Sequence, residues 1–116
     1  MTRCEDLKIP VHVVPPVSIL YEALAFAEGA RLYGSYNWRM TKVEVMTHIG
    51  ACLRHLYAYL DGEDIDPTSG VHHLGHAKSR LGILADCIEA GNLIDDRPCP
   101  GYAGKFLRKW GTDPIS

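Results

Sequence analysis

Histidines and carboxylates gather around one loop of the chain. His73 and His76 are three residues apart, so both can point at one ion if they lie on a helix. The preceding loop carries four acidic residues within six positions, Asp61, Glu63, Asp64 and Asp66. Imidazole nitrogens and carboxylate oxygens are ligands for divalent cations. The spacing therefore predicts a metal site at this loop, with Asp64 as the carboxylate that best fits solvated surface.

Two familiar kinds of metal site do not fit these residues. An EF-hand is excluded because the acidic positions do not alternate properly and Gly62 is misplaced. A zinc cage of cysteine and histidine is excluded because Cys52 and Cys87 lie two or more helical turns from the loop. The alternative that stays open is a solvated acidic loop without an ion, beside polar residues that only cap helices.

Two predicted helices position these groups. The apolar spacing of Val45, Ile49, Leu53, Leu56 and Leu60 predicts a second helix, with Thr41 as its cap and Glu44 in a capping box. A third helix is predicted over about 72–90, ended by Gly91. Polar strips run beside both apolar stripes, with His48, Cys52, His55 and Tyr59 on one and His73, His76, Arg80 and Cys87 on the other. An antiparallel hairpin of these helices brings His55 close to His73.

The remaining segments complete a mainly helical chain. A first helix is predicted over about 17–32, after an extended arm or short strand at Val11–Val14. The tail from residue 95 is rich in proline and glycine, and residues 105–110 form a short amphipathic turn that is expected to dock on the body. We therefore predict an all-α fold in one domain over residues 1–116: a small helical bundle with a central antiparallel hairpin, an extended N-terminal arm and a Pro/Gly-rich tail.

Composition narrows the classes of function. The net charge of −2 argues against binding to duplex nucleic acid, which needs a surplus of positive charge. No apolar run is long enough for a signal peptide or a membrane span. The cysteines are scattered without a C-x-x-C pair, which is typical of reduced thiols. A cytoplasmic location is expected.

Five short blocks in fixed order resemble a known family. They are GARLYG at 29–34, NWR at 37–39, LRHL at 53–56, GEDIDPTSG at 62–70 and HLGHA at 73–77. Together they resemble the phage-type dATP/dGTP diphosphohydrolases, which are allied to the MazG-like all-α nucleotide pyrophosphohydrolases. The resemblance covers roughly residues 18–88.

The resemblance implies hydrolysis of a purine deoxynucleoside triphosphate to the monophosphate and pyrophosphate, with Mg²⁺ or Mn²⁺ as the cofactor. It implies metal ligands at Glu63 and Asp66, with His73 and His76 as further ligands or as groups that orient them. His55 or Asp61 is then the general base. Arg54 and Lys42 are expected to meet phosphate oxygens. The other expected substrate contacts are Asn37, Trp38 and Arg80.

Three positions depart from the family pattern, Leu32, Met40 and Arg80. They favour the alternative of a non-catalytic phage accessory or anti-defence protein that reuses the fold to bind a nucleotide or another protein. Arg80 itself has two interpretations, as a phosphate ligand or as a salt-bridge partner of the acidic loop. The apolar stripes exceed what so short a chain can bury, which predicts a homo-oligomer, most simply a twofold dimer.

Overall fold

The computed structural model describes residues 8–111, and four α-helices dominate this part of the chain. The helices are α1 (Pro16–Tyr33), α2 (Val45–Leu60), α3 (His73–Ala90) and α4 (Ala103–Trp110). Two short strands, β1 (Val43–Glu44) and β2 (Leu93–Ile94), pair in parallel. Short 3₁₀ helices cover Val11–Val13 and Asn37–Met40. The predicted mainly helical fold is confirmed, with α1 and α3 within a residue of their expected bounds.

Helix α3 lies at the centre, with α1 and α2 packed on it. His48, early in α2, meets Arg80 near the middle of α3, whereas His55, later in α2, meets His73 at the start of α3. Contacts that run in opposite order along two helices mean that the helices are antiparallel. The predicted central hairpin is therefore confirmed.

The crossing of α1 over α3 is close because Gly75 has no side chain. A Cβ atom at this position would lie 2.5 Å from the backbone oxygen of Tyr21. Lys78 stabilises the same crossing, because its Nζ donates to the backbone oxygen of Ser18 at 2.6 Å and to the Ser18 hydroxyl. Any side chain larger than hydrogen at residue 75 would force the two helices apart.

A small core joins the two strands to the hairpin. It consists of the buried residues Val43, Val45, Leu84 and Cys87, with Trp38, Ile49, Ile83 and Leu93 packed around it. Asn92 fixes the connection, since its amide nitrogen donates to the backbone oxygens of Trp38 and Thr41, each at 2.8 Å. Both strands are only two residues long, and for that reason no alternating pattern announces them in the sequence.

Two local predictions were wrong. Val11–Val13 forms a 3₁₀ turn instead of the extended arm or short strand expected at Val11–Val14, because amides here bond to carbonyl oxygens two or three residues earlier, as between Val13 N and Pro10 O at 3.1 Å. Thr41 does not cap α2, which begins at Val45 after Glu44. The pairing of β1 with β2 holds residues 43–44 extended, and this delays the start of the helix.

Many apolar side chains lie on the surface. No residue of α4 is buried, so the expected docking of the amphipathic turn onto the body is not seen as a buried contact. Cys52 and Cys87 are buried free thiols and Cys99 is an exposed one, while Cys4 lies outside the described residues. None of the helices in residues 8–111 has both the length and the apolar character to cross a membrane.

Candidate metal centre and adjoining cavity

The loop between α2 and α3 is held by its own backbone. The amide of His73 donates to the oxygen of Asp64 at 2.9 Å, and the amide of Asp66 donates to the oxygen of Val71, also at 2.9 Å. Gly62 and Gly70 supply the positive φ angles of 105° and 75° that its turns require. The side chain of Asp66 accepts from the amide of Thr68 through Oδ1 at 2.9 Å, which leaves Oδ2 to face the helices.

Three ligand atoms converge at the end of the hairpin. They belong to His55, Asp66 and His73, and all lie within 4.8 Å of one another. The two Nδ1 atoms of His55 and His73 are 2.9 Å apart, and Oδ2 of Asp66 is 4.0 Å from Nδ1 of His55. Two nitrogens that bind one ion at ~2.1 Å in octahedral geometry lie ~3 Å apart. The donor atoms therefore fit a divalent metal ion.

Glu63 contacts the ring of His73 on the side opposite His55. Its Oε1 accepts a hydrogen bond from Nε2 of His73 at 2.7 Å. In a neutral imidazole this places the proton on Nε2 and leaves the lone pair on Nδ1, the atom that faces His55. A carboxylate behind a histidine in this way fixes the tautomer and the ring orientation of a metal ligand.

His76 lies beside the group of three. Its ring stacks on that of His55 with centroids 4.6 Å apart, and its Nε2 is 4.0 Å from Oδ2 of Asp66. The same nitrogen shares a 2.6 Å hydrogen bond with the hydroxyl of Ser69, which in turn accepts from the amide of Val71. Contacts from both the loop and α2 therefore fix the position of the His76 ring.

Burial lowers the pKa of His48, His55 and His76. The charge of Arg80 acts in the same direction on all three, and Asp66 opposes it in part at His55 and His76. A lowered pKa means that these imidazoles are neutral near pH 7, the form that donates a lone pair to a metal or accepts a proton.

A cavity of about 510 Å³ adjoins the centre and reaches from α3 to the Asn37–Met40 turn. Its polar lining includes His76, Arg80 and His48, and Nη1 of Arg80 is 3.3 Å from Nδ1 of His48. Its aromatic lining includes Phe26, Tyr33 and Trp38. A cavity of this volume accommodates a small molecule such as a nucleotide.

Trp38 is held in the cavity wall by Asp86. Its indole nitrogen donates to Oδ2 of Asp86 at 2.7 Å, and Arg39 forms two further bonds of 2.7 Å to the same carboxylate. These bonds, first those from Arg39 and then the one from Trp38, lower the pKa of Asp86 to about 2. Trp38 is therefore a fixed wall of the cavity.

The structure gathers most of the residues that the sequence nominated. Asp66 and His73 join His55 in the group of three, Glu63 and His76 contact that group, and Asn37, Trp38, Lys42 and Arg80 line the cavity. Two nominated residues lie apart from it. Arg54 is exposed with its guanidinium folded toward Gly50, and Asp61 is exposed at the C-terminal end of α2.

Two residues contribute to the site although the sequence alone does not predict their contacts. His48 belongs to the polar strip of α2, a signal present in the sequence, but its partner Arg80 on α3 becomes apparent only in the fold. Ser69 bonds to His76, and only its place in an acidic loop hints at this.

Comparison with known proteins finds similarity to nucleotide hydrolases. The family model described as dATP/dGTP diphosphohydrolase, N-terminal, matches residues 2–97. A dATP/dGTP diphosphohydrolase of Salmonella phage PMBT28 is 30% identical over 90 residues. The match covers 78% of this chain but 30% of that relative's length. No solved structure matches the chain.

Proposed function

Since the chain belongs to the dATP/dGTP diphosphohydrolase N-terminal family, we propose that it is a metal-dependent nucleotide pyrophosphohydrolase. Its substrate is a purine deoxynucleoside triphosphate, and its products are the monophosphate and pyrophosphate. The observation that carries the proposal is the convergence of His55, Asp66 and His73 within 4.8 Å, in contact with His76, which lines a cavity of about 510 Å³.

The donor set favours Mn²⁺ over Mg²⁺ as the resident ion. Magnesium prefers oxygen ligands and keeps several waters, whereas imidazole nitrogens suit transition metals. His55, Asp66 and His73 would hold the ion, and Glu63 would keep Nδ1 of His73 directed at it. When bound, such an ion polarises a phosphoryl oxygen and makes a bound water more acidic.

The chain's own groups can then bind substrate and move a proton. His76 stacks on His55, and burial lowers its pKa, so we propose that it accepts the proton of the attacking water. Asn37, Trp38 and Lys42 line the part of the cavity where a nucleoside would fit. The roles expected for Asp61 as a base and for Arg54 as a phosphate ligand stay predictions, since both side chains are exposed away from these contacts.

Pyrophosphate release from a panel of the four deoxynucleoside triphosphates tests the proposal. We expect release from dATP or dGTP with Mn²⁺ and none after the metal is chelated. If no triphosphate yields pyrophosphate with Mn²⁺ or Mg²⁺, the catalytic proposal fails and the alternative of a non-catalytic nucleotide- or protein-binding role replaces it.

A further inference from the structure

Arg80 combines partial burial with the lack of a carboxylate partner among residues 8–111, whereas Arg54 and Arg108, which also lack one there, are exposed. Arg31, Arg39 and Arg97 each pair with a carboxylate at 2.7 Å. Within residues 8–111, no carboxylate oxygen lies within 4.0 Å of the guanidinium of Arg80, although this residue is half-buried. Its hydrogen-bond partner is the neutral ring nitrogen of His48 at 3.3 Å. The salt bridge to the acidic loop, one of the two interpretations of Arg80, is therefore not formed.

A half-buried cation without a counter-charge is costly unless an anion binds to it. The guanidinium of Arg80 lines the cavity, so an anion that enters the cavity can reach it. Among residues 8–111, two carboxylates line the same cavity, and they do not neutralise Arg80. Glu28 is engaged by Arg31 through bonds of 2.7 and 3.2 Å, and Glu44 is exposed.

The position of Arg80 along α3 indicates which anion binds to it. It lies four residues, or ~6 Å, beyond His76 along α3, in the direction of Asp86, the residue that bonds to Trp38. A nucleotide with its base near Trp38 and its outer phosphates at the metal centre would pass its sugar-linked phosphate between these two points. A guanidinium is well suited to that position, because its planar donors bind phosphate oxygens in pairs.

We propose that Arg80, supported by His48, is the subsite for the phosphate attached to the sugar, and that this subsite works without metal. The proposal rests on the proposed function for the orientation of the nucleotide. It adds that the chain recognises a deoxynucleoside monophosphate by itself. The metal centre is needed only for the outer two phosphates and for the reaction.

Equilibrium binding of dGMP to the full chain in the presence of a chelator tests this subsite. We expect wild type to bind dGMP more tightly than deoxyguanosine. Arg80→Met, which keeps an unbranched apolar stem but removes the charged guanidinium, should weaken dGMP binding ~10-fold or more and leave deoxyguanosine binding unchanged. Arg80→Lys should restore part of the affinity. Arg108→Met removes an exposed arginine of α4 outside the cavity and should bind dGMP like wild type.

Two results would overturn the subsite. One is equal affinity of wild type for dGMP and deoxyguanosine, and the other is unchanged dGMP binding by an Arg80→Met variant with a wild-type circular dichroism spectrum. The outcome is independent of catalysis. A chain that binds dGMP through Arg80 but releases no pyrophosphate would contradict only the hydrolase proposal, while hydrolysis with unaltered dGMP binding in Arg80→Met would contradict only the subsite.

Discussion

Nδ1 of His55 on α2 lies 2.9 Å from Nδ1 of His73 on α3. The residues are 18 positions apart in the chain, and the antiparallel hairpin makes them neighbours. With Glu63 on Nε2 of His73 and Asp66 across the loop, the pair can exchange its mutual hydrogen bond for a shared metal ion. The fold thus brings the donor atoms of the two helices and the loop together.

Metal binding should stabilise the folded chain. An ion that binds only the native state adds ~2.7 kcal/mol at a concentration 100 times its dissociation constant. We therefore expect Mn²⁺ to raise the melting temperature, and Asp66→Asn to remove most of the increase because a charged ligand is lost. Asp64→Asn is the matched control, since that side chain is exposed on the same loop. Identical melting curves with Mn²⁺ and with chelator would argue against any metal site.

Glu63 and Asp66 should respond differently to the loss of charge. Asp66→Asn removes a ligand, and pyrophosphate release should fall ~100-fold or more, about 2.7 kcal/mol of transition-state stabilisation. Glu63→Gln keeps an oxygen that accepts from His73, so it should lose less than Glu63→Ala, for which a ~10–100-fold loss of metal affinity is expected. Calorimetric titration with Mn²⁺ measures the loss of metal affinity without turnover of the substrate. A larger loss of metal affinity in Glu63→Gln than in Asp66→Asn would mean that Glu63 is the direct ligand.

His76→Ala separates proton transfer from metal binding. If His76 accepts the proton, activity should fall ~10²-fold or more while Mn²⁺ affinity changes little. The assay compares the rate of pyrophosphate release with the dissociation constant for Mn²⁺ in the same variant. Loss of Mn²⁺ binding in parallel with activity would identify His76 as a ligand instead.

Because of Asp86, the free energy of unfolding should depend on pH in acidic solution. Its pKa falls from 3.8 to about 2 on folding, so the stabilisation is complete above 3.8 and is lost as the pH falls toward 2. Asp86→Asn should therefore be less stable than wild type at neutral pH, and the difference should narrow toward pH 2. Denaturant unfolding at both pH values measures this. A difference that stays constant with pH would mean that the carboxylate charge is not what Arg39 and Trp38 stabilise.

The exposed apolar face of α2 is expected to mediate self-association. Leu53, Leu56, Tyr57 and Leu60 recur at helical spacing on α2 and are all exposed. We expect light scattering to give at least a dimer mass and Leu60→Glu to weaken the assembly, with Met40→Glu, at an exposed residue of the turn before β1, as the control. A monomer mass across a tenfold dilution range would refute the homo-oligomer.

Local periodicity and the order of short blocks determined the helices, the hairpin and the family, because these depend on residues a few positions apart. They also identified Asp66, His73 and His76 as candidate metal ligands. The tertiary structure decided how those groups are used. The parallel pairing of β1 with β2 moved the start of α2 from Thr41 to Val45, a long-range contact that local capping rules do not include. In the same way, the path of the loop and the packing of two helices placed Glu63 behind His73 and left Arg80 facing a cavity without a carboxylate partner in the described chain. Such relationships depend on distances between elements, and the spacing of residues along one chain does not contain them.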